Sequence, residues 1–319
     1  MHSLMALRFL KRLAFDDACL GSGIVYSISI MSNAMQNLLQ AWRRRWWRAD
    51  PVALAAFEGL KPMTVVTGGS EGIGFELARR FAAAGSDVML VARRAEVLEQ
   101  AAAQIRIESK VAAVVLPLDI TLPDSVAKIE AALAAVGAYA DVLVNNAGIG
   151  LSGPFHAHAP EDVLRLLDVN VRALTQLTHH FLPGMRTRGR GGILNVASLG
   201  GYAPGPNQAA YYASKAYVLS LTEAIAAETA GEGVRVCALA PGPVNTRFHA
   251  RMGAEGALYR AFVPPASSQS VARAGHRGFL LGLRVTIPGL VNPFLALAMR
   301  VLPHRIVIPI IGLLLRPKR

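Results

Sequence analysis

Short apolar runs rich in β-branched residues alternate with longer helix-forming segments from about residue 60 to residue 240. Strands that are buried on both faces are almost continuously apolar, so this alternation predicts a parallel sheet with helices on both sides. The predicted strands are 63–67, 87–91, 114–118, 142–144, 193–197 and 234–239, and the predicted helices are 72–84, 95–110, 123–136, 160–187 and 210–230. The fold class is therefore α/β, a doubly wound parallel sheet of the Rossmann type with six or seven strands.

The pattern divides the chain into three parts. Residues 1–60 are predicted to be a partly disordered N-terminal extension, with 1–34 lying upstream of a true start at Met31 or Met35. Residues 61–255 hold the alternating pattern and form the predicted sheet domain. Residues 256–319 do not continue the alternation and are predicted to be an apolar, basic and helical C-terminal extension.

The net charge of +12 is concentrated at the C-terminal end of the chain. After Glu255 the sequence has nine Arg or Lys and no acidic residue, which suggests an anionic partner. Surfaces that bind nucleic acid are usually polar with stacking aromatics, whereas this tail is apolar, so an anionic membrane surface is expected and nucleic acid is not. The competing interpretation is that 279–283 and 285–299 pack over a substrate pocket or a partner subunit.

Three uncharged stretches are candidates for membrane spans. The segments 285–299 and 306–315 are shorter than the roughly 20 apolar residues that a spanning helix needs, and both contain proline. The stretch 18–42 is long enough, but it contains several Ser, Asn and Gln, so insertion is not expected. Only two cysteines are present, Cys19 and Cys237, and no cluster of Cys and His has metal-binding spacing. We therefore expect a cytoplasmic protein without a metal, bound peripherally to the inner membrane face.

A glycine-rich turn follows the first predicted strand and leads directly into the first predicted helix, in the sequence Thr67-Gly68-Gly69-Ser70-Glu71-Gly72-Ile73-Gly74. Glycines let the backbone approach a pyrophosphate closely, and the free N–H groups and dipole of the helix N-terminus favour its negative charge. Residues 61–255 are therefore predicted to be a dinucleotide-binding catalytic domain.

The choice between NAD and NADP depends on the residues about 20 positions beyond the glycine turn, where a carboxylate would bind the ribose 2′-hydroxyl of NAD. This chain has Arg93 and Arg94 there instead. Guanidinium groups pair well with a 2′-phosphate, so NADP is predicted and NAD is less favoured. The alternative is that Arg93 and Arg94 only begin a solvated helix.

A proton donor is needed where hydride reaches a carbonyl carbon, because negative charge then develops on the oxygen. Tyr211 and Lys215 are four residues apart on a predicted helix, so they share one face. A nearby cation lowers the pKa of a tyrosine, and Lys215 could supply it. Tyr212 and Tyr217 are alternative donors, but neither has a lysine four residues later. Together with Ser198 and the glycine turn, the pair predicts a hydride-transfer site.

The glycine spacing TGxxxGxG, Asn145-Asn146-Ala147-Gly148, Ser198, the pair Tyr211 and Lys215, and Pro241-Gly242 resemble the short-chain dehydrogenase/reductase family. The resemblance covers about 62–248 and implies that Ser198 polarises the carbonyl, Asn170 supports a water linked to Lys215, and Lys215 also binds the nicotinamide ribose. The cofactor-binding residues that it implies are Gly68, Ser70, Gly72, Ile73, Gly74, Arg93, Arg94, Asp119, Asn146, Ala147, Gly148, Lys215, Pro241, Gly242 and Thr246.

The chain departs from the family pattern in two places. Glu71 occupies a position where many NADP-dependent members have a basic residue, and the glycine-rich signature of the last strand is missing, so a seventh strand is uncertain. The tail, with Ala272-Arg273-Ala274-Gly275, resembles a bacterial broad-specificity subgroup related to acyl-ketone and steroid reductases. The resemblance also implies a homodimer or homotetramer, paired through the helices at 160–187 and 210–230.

The substrate pocket is expected between Gly153–His158 and the segment after Thr246. Four residues there, Phe155, Phe248, Met252 and Phe262, favour a hydrophobic small molecule, although core packing would explain any one of them. The predicted reaction is the interconversion of a hydrophobic ketone or aldehyde and its alcohol with NADP(H). The alternatives are a 3-oxoacyl-thioester reductase of lipid metabolism and a dinucleotide-sensing protein without turnover.

Overall fold

The computed structural model describes residues 54–253 and 264–316. Within these ranges seven parallel strands form one sheet, in the order β3-β2-β1-β4-β5-β6-β7. The strands are β1 (Lys61–Thr67), β2 (Asp87–Ala92), β3 (Ala113–Pro117), β4 (Ala138–Asn145), β5 (Gly192–Val196), β6 (Arg235–Leu239) and β7 (Val285–Thr286). The helices are α1 (Gly72–Ala83), α2 (Ala95–Ser109), α3 (Ser125–Ala135), α4 (Pro160–Leu167), α5 (Leu174–Arg188), α6 (Ala209–Glu228), α7 (Phe248–Arg251), α8 (Ser268–Leu280), α9 (Asn292–Val301) and α10 (His304–Leu314).

Both faces of the sheet are covered, as the near-continuous apolar strands predict. All five residues of β5 and the last five of β1 are buried. On one face α1, α2 and α8 supply Leu77, Ile105 and Phe279 to the core, and on the other α3 and α5 supply Ile129 and Leu177. Burial of this kind drives the assembly of the layers, because each large apolar side chain stabilises the fold by about 1.5–3 kcal/mol. The doubly wound α/β prediction is confirmed.

The strand order reverses direction between β1 and β4. The chain first builds outward from β1 to β2 and β3, and then crosses to add β4 on the other side of β1. Connections therefore leave the carboxyl ends of β1 and β4 in opposite directions and open a crevice there, which is where ligands of such sheets bind.

The alternation continues beyond residue 256, so the prediction that it stops there is wrong. Helix α8 packs on the sheet through small residues, and a methyl group at Gly275 would lie 2.6 Å from Cδ2 of Leu239. Strand β7 then pairs with β6, where the amide nitrogen of Ala238 donates to the carbonyl of Arg284 at 2.8 Å and that of Ala240 to Thr286 at 2.8 Å. The sheet accordingly has seven strands, although the glycine-rich signature is missing.

The helix predicted over 160–187 is not continuous. A π-helical turn at Asp168–Ala173 separates α4 from α5. Single π-turns inside helices occur frequently at functional sites, because they turn a side chain away from the ordinary helical position. Here the turn contains Asn170, which is buried.

The C-terminal segment ends in two short helices, α9 and α10, of 10 and 11 residues. None of the helices that residues 54–253 and 264–316 form is long and apolar enough to cross a bilayer. The predictions for residues 1–53, including 18–42, and for Phe262 fall outside the described residues.

Candidate active site

The predicted site residues gather along one edge of the sheet, because each of the strands β1 to β6 delivers some of them just beyond its carboxyl end. In strand order from β1 to β6 these are 68–74, Arg93 and Arg94, Asp119, 146–148, Ser198, and 241–246. Three further residues, Asn170, Tyr211 and Lys215, come from the π-turn and from α6. The strand register therefore brings together positions that lie up to 178 residues apart, from Gly68 to Thr246 (246 − 68).

The glycine turn between β1 and α1 depends on the absence of side chains. Gly68 and Gly72 have positive φ angles of 65° and 61°, which other residues rarely adopt. A methyl group at Gly72 would lie 3.3 Å from the methyl group of Thr246, and one at Gly74 would collide with Asn146 and the carbonyl of Gly68. The side chain of Ile73 is partly buried and packs against the core. Ser70 is half-buried in the same turn.

Asn146 fastens the glycine turn to the end of β4. Its Nδ2 donates to the carbonyl oxygens of Thr67 at 3.0 Å and Gly68 at 3.1 Å. In return the Thr67 hydroxyl accepts from the backbone nitrogens of Asn146 at 3.1 Å and Ala147 at 3.2 Å. The buried Thr67 therefore holds the crevice in shape. The sequence interpretation assigned it no role, although a polar residue closing an apolar strand is a usable signal.

Arg94 and Glu71 form an ion pair at the mouth of the crevice, with Arg94 Nη2 2.8 Å from Glu71 Oε1. Arg251 pairs with the same carboxylate oxygen, and Arg247 Nη1 lies 3.9 Å from the other. Burial alone would raise the pKa of Glu71, but the three guanidiniums outweigh it and lower that pKa. Three positive groups and one negative group leave a formal charge of +2, so Glu71 does not make this corner repel an anion.

Asp119 follows β3 and is held by its own turn. Its Oδ1 accepts from the backbone nitrogen of Thr121 at 3.0 Å and from the Thr121 hydroxyl at 2.7 Å. Burial opposes ionisation, but these hydrogen bonds and the charges of Arg93 and Arg165 lower the pKa of Asp119. The carboxylate is therefore ionised at neutral pH and orders the loop beside the exposed Arg93.

Tyr211 lies in the first turn of α6 against an aromatic neighbour. Its ring centroid is 5.6 Å from that of Phe248, and the planes are inclined by 47°. Burial raises the pKa of Tyr211, and the hydrogen bond with the Ser198 side chain only partly opposes this. The expected lowering of this pKa is not met, because burial outweighs the hydrogen bond from Ser198. The phenol is therefore protonated at neutral pH.

Ser198 is fixed at the start of a short 3₁₀ turn, Leu199–Tyr202. Its Oγ accepts from the backbone nitrogen of Gly200 at 3.1 Å, which caps the turn. This bond uses one acceptor position of the hydroxyl and leaves its proton available for another group. The turn that follows β5 therefore presents the hydroxyl toward Tyr211 in one orientation.

Lys215 is buried beneath Tyr211, with its Nζ 5.9 Å from the tyrosine ring centroid. Nζ donates to the carbonyl of Val196 at 2.8 Å, at the end of β5. Burial lowers the pKa of Lys215 to about 8, because the charged form loses its hydration. A methyl group at Gly148 would lie 3.5 Å from Nζ and 3.3 Å from Oδ1 of Asn170, so both polar atoms face the same small space.

Asn170 links the loop after β4 to α6. Its Oδ1 accepts from the amide nitrogen of Ile149 at 2.9 Å, and its Nδ2 donates to the carbonyl of Ile149 at 2.9 Å and to Ser214 Oγ at 3.1 Å. Ser214 in turn donates to the carbonyl of Tyr211 at 2.7 Å. Ser214 lies within the Tyr-Tyr-Ala-Ser-Lys motif, but the sequence interpretation gave it no role.

A buried polar ladder beneath the crevice was also missed. Asn145 Nδ2 donates to Asn195 Oδ1 at 2.9 Å and to the Thr178 hydroxyl at 3.0 Å, and Asn195 Nδ2 donates to the Thr222 hydroxyl at 2.9 Å. All four residues are at most 3% exposed. The ladder fixes β4 and β5 relative to α5 and α6. Polar residues inside strands that are otherwise apolar would have been the signal.

The segment after β6 closes the site from the other side. The carbonyl of Pro241 accepts from the amide nitrogen of Leu199 at 2.8 Å, which ties it to the Ser198 turn. A methyl group at Gly242 would lie 2.9 Å from Nδ2 of Asn292, so the first residue of α9 reaches this loop. The hydroxyl of Thr246 accepts from the amide nitrogen of Phe248 at 3.4 Å and so starts α7.

An apolar wall stands next to Tyr211. Phe248 and the buried Met252 both approach Gly150, where a methyl group would lie 3.1 Å and 3.0 Å from them. Phe155 does not join this wall, because its side chain is 59% exposed. The two alternative tyrosines are placed elsewhere: the ring of Tyr212 packs against Gly200 and Gly205, and the Tyr217 hydroxyl lies 2.9 Å from that of Thr175 on the outer face of α5 and α6.

These features fit a nicotinamide dinucleotide. The glycine turn has the open backbone and left-handed φ angles that a pyrophosphate site at a helix N-terminus needs. Gly148 is a cradle that a side chain would fill, and it opens onto Lys215 and Asn170. Arg93 and Arg94 are exposed at the end of β2, where the adenosine ribose of such a cofactor is bound in this type of sheet.

Comparison with known proteins places the chain among relatives of one kind. Residues 62–256, more than half of the chain, match the model of the short chain dehydrogenase family. A short chain dehydrogenase of Pseudocercospora fijiensis is 39% identical over 189 residues, which cover 58% of this chain and 60% of that protein. A very-long-chain 3-oxoacyl-CoA reductase of Macaca fascicularis is 32% identical over 194 residues, or 60% of this chain and 62% of the relative. The chain thus spans about three fifths of the length of these relatives.

Solved structures agree with this placement. A short-chain dehydrogenase from Sphingobium yanoikuyae in complex with NADPH is 35% identical, with a TM-score of 0.67 over 74% of this chain and 91% of that one. A bulky-bulky ketone specific alcohol dehydrogenase from Comamonas testosteroni is 30% identical, with a TM-score of 0.62 over 73% of this chain and 87% of that one. The chain belongs to the short chain dehydrogenase family.

Proposed function

We propose that this protein is an NADP(H)-dependent oxidoreductase that interconverts a hydrophobic ketone or aldehyde and its alcohol. The observation that carries the proposal is the placement of Tyr211, hydrogen-bonded to Ser198, between the buried Lys215 and the apolar wall of Phe248. A polar proton donor that faces an apolar wall suits a carbonyl with bulky hydrocarbon substituents.

The polar residues supply the proton and the positioning. A nicotinamide held at this site would supply or accept the hydride. Ser198 donates a hydrogen bond to the carbonyl oxygen, and Tyr211 delivers a proton to it as negative charge develops. The raised pKa of Tyr211 keeps it protonated at neutral pH, which suits reduction. Lys215 is still charged below its lowered pKa of about 8, and it stabilises the tyrosinate that forms.

The preference for NADP rests on the charge at the end of β2. Arg93 is exposed and makes Asp119 more acidic, and Arg94 is held in place by Glu71. A 2′-phosphate placed there would compete with Glu71 for Arg94 and Arg251, and the excess of positive charge favours it. The relative from Sphingobium yanoikuyae was solved with NADPH, which supports the same choice.

The substrate class follows from the wall beside Tyr211. Phe248 and Met252 form an apolar boundary, and the structural relative from Comamonas testosteroni is specific for ketones with two bulky groups. A 3-oxoacyl thioester is the second candidate, favoured by the 3-oxoacyl-CoA reductase among the relatives. A dinucleotide sensor without turnover is disfavoured, because Ser198, Tyr211, Lys215 and Asn170 are all present and lie close together at one site.

A homodimer or homotetramer would use the outer faces of α5 and α6. The exposed side of α6 has small residues at Ala213, Ala216, Ser220 and Ala224, which let another helix approach closely. Beside them the half-exposed Tyr217 and the exposed Leu164 offer apolar area. These faces correspond to the pairing helices that the family resemblance implies.

A screen of carbonyl compounds tests the proposed reaction. Aliphatic, aromatic and bulky ketones, aldehydes and a 3-oxoacyl thioester are each incubated with NADPH or NADH, and loss of cofactor absorbance is followed. We expect turnover with NADPH on bulky apolar ketones or aldehydes, absent in a Tyr211→Phe control. Turnover confined to the thioester would establish the second candidate, and binding of NADPH without turnover on any compound would favour the sensor.

A further inference from the structure

The helix pair α9–α10 exposes apolar side chains to an extent that no other part of the described structure matches. Nine of the nineteen large apolar side chains that residues 54–253 and 264–316 expose lie between 290 and 313. On α9 they include Phe294, Leu297 and Val301, and on α10 Ile306, Ile310 and Leu313. Their spacing of three or four residues puts each set on one side of its helix. This outer face is 51–70% exposed at these six positions.

The opposite sides of both helices are already used. Val307 and Ile311 of α10 are buried against Ala203, and Met299 of α9 packs on the same cluster together with Tyr212. Because both helices bury one side in one cluster, the outer apolar side chains of both face away from it. The pair therefore has apolar side chains on its exposed side as well as on its buried side.

The charges on this outer surface have one sign. Arg300 and Arg305 are exposed at the junction of the two helices, and Arg316 follows α10. No acidic residue occurs anywhere after Glu255 in the sequence, and Lys318 and Arg319 end the chain. Apolar side chains flanked by arginines, with no carboxylate among them, match the composition of helices that lie in the interface of an anionic bilayer.

We propose that α9 and α10 form an interfacial anchor, which lies flat on an anionic lipid surface with its outer apolar side chains immersed between the headgroups. The two helices are too short to cross a bilayer, and Pro309 interrupts the hydrogen bonding of α10, so they lie along the surface. The arginines pair with lipid phosphates while the apolar row enters the acyl boundary.

A second copy of the chain fits this outer face less well than anionic lipid does. Pairing of two identical faces about a twofold axis would bring Arg300 and Arg305 of each copy toward those of the other, with no carboxylate in either helix to compensate. Nucleic acid would leave the apolar row in water. Anionic lipid is the partner that satisfies both the apolar area and the positive charge.

The anchor would place the active site next to the lipid. Val307 and Ile311 contact the cluster that contains Tyr212, the neighbour of Tyr211, and Asn292 of α9 lies against Gly242. One helix layer, roughly 10 Å thick, therefore separates the outer face from the catalytic residues. This consequence rests on the proposed function: a lipid-dissolved carbonyl compound would reach Tyr211 from the membrane side.

Vesicle sedimentation of the full-length protein tests the anchor without using activity. Vesicles of phosphatidylcholine alone are compared with equal mixtures of phosphatidylcholine and phosphatidylglycerol. The variant Leu297→Ser with Ile310→Ser removes two outer side chains that are 60% and 54% exposed, so folding should not depend on them. We expect its partition into anionic vesicles to fall by at least about tenfold, since each immersed side chain contributes substantially.

Matched controls separate this effect from general stickiness. Ile107→Ser with Leu122→Ser removes two apolar side chains that are 81% and 42% exposed elsewhere, and it should leave partition unchanged. Arg300→Gln with Arg305→Gln should cost about fivefold per arginine at low salt. Arg273→Gln with Arg277→Gln removes the same charge from α8 and should cost less.

The sequence Arg43-Arg44-Arg45-Trp46-Trp47-Arg48, outside the described residues, is a second basic and aromatic segment. Its contribution is assessed in a variant with those four arginines changed to serine. Binding that is lost there but unaffected by Leu297→Ser with Ile310→Ser would overturn the anchor. So would equal binding to neutral and anionic vesicles, or no vesicle binding together with a dimer that the same double variant dissociates. Failure of the carbonyl screen would leave these binding results untouched.

Discussion

The centre of the candidate active site and the helix pair α9–α10 place polar and apolar groups in opposite ways. At the centre, Asn170 and Lys215 are polar, at most 5% exposed, and hydrogen-bonded to groups of the same chain. In the helix pair, Leu297 and Ile310 are apolar and more than half exposed. Burying a polar group costs free energy unless it is hydrogen-bonded, so the centre is a structure that the chain completes internally.

Because of this difference in burial, the two regions differ in what they need from other molecules. A centre whose polar groups are satisfied internally is preorganised and needs only its cofactor and substrate. An apolar face in water has an unused capacity for burial, which a partner of matching chemistry would supply. Substitutions should therefore have strong effects on chemistry at the centre and strong effects on location, but not chemistry, at the helix pair.

The largest expected effect is on the proton donor. Tyr211→Phe keeps the ring against Phe248 and removes only the hydroxyl, so we expect turnover to fall by at least about a hundredfold. NADP(H) affinity, measured by fluorescence titration, should change little. Tyr212→Phe is the matched control and should be mild, because the Tyr212 ring packs against Gly200 and Gly205. Near-normal turnover of Tyr211→Phe on every substrate would remove this tyrosine from the mechanism.

The second prediction is that activity falls while the free energy of unfolding rises as the pH increases above 8. Burial lowers the pKa of Lys215 to about 8, against an ordinary value near 10.5 in the unfolded chain. If the charge of Lys215 is required, kcat/KM for reduction should fall about tenfold per pH unit above pH 8. Between pH 8 and 10.5 the unfolded chain binds the proton more readily, so the contribution of Lys215 to the free energy of unfolding rises with pH.

Chemical denaturation at several pH values checks the stability half of this prediction. The rise between pH 8 and 10.5 should be at most about 1.4 kcal/mol per pH unit and should be missing in Lys215→Met. A rise of equal size in that variant would assign it to another group. A flat activity profile through pH 8 would show that the charge of Lys215 is not needed for reduction.

The third prediction concerns the charged residues at the mouth of the crevice. Replacing Arg93 and Arg94 with alanine should weaken NADPH by tenfold or more per lost contact, and NADH much less, because charge-assisted hydrogen bonds contribute about 1.5–3 kcal/mol each. Glu71→Gln should act in the opposite direction and strengthen NADPH modestly, since it frees Arg94 and Arg251 from a competing carboxylate. Equal losses for both cofactors, or a wild type that prefers NADH, would contradict the assignment.

The smallest expected effect is at the helix pair. Leu297→Ser with Ile310→Ser should leave kcat and KM on a water-soluble carbonyl compound unchanged, because neither side chain contacts the buried cluster around Ala203. The same variant should lose rate when the substrate is supplied in anionic vesicles. A large loss with the soluble substrate would show that the outer face supports the catalytic centre, and the contrast between the two regions would fail.

The sequence predicted the sheet, and the site residues that it proposed lie together at one edge of that sheet, because both depend on strong local signals. Continuous apolar runs marked β1 to β6, and glycines that need a positive φ marked the turn at Gly68 and Gly72. Ser198, Tyr211 and Lys215 could be recognised because Ser198 follows the end of a predicted strand, and Tyr211 and Lys215 are one helical turn apart. Each of these patterns lies within a short stretch of the sequence.

What the sequence did not predict depends on contacts between distant segments. Strand β7 has only two residues, and α8 packs through Gly275 and other small residues, so neither produced an apolar pattern. The ladder from Asn145 to Asn195 requires two strands to be aligned before its purpose is visible. The raised pKa of Tyr211 reflects burial by surrounding segments, which the presence of a neighbouring lysine does not reveal.

The π-turn at Asp168–Ala173 shifts the register of everything that follows it in the helix. An extra residue in one turn rotates the later residues by about 100° relative to a continuous α-helix. The buried and exposed faces of α4 and α5 must therefore be assigned separately. A single helical wheel drawn through both helices would place the residues of one of them on the wrong face. The turn behaves as an inserted residue, so loss of one residue there would restore a regular helix and withdraw Asn170 from Ile149.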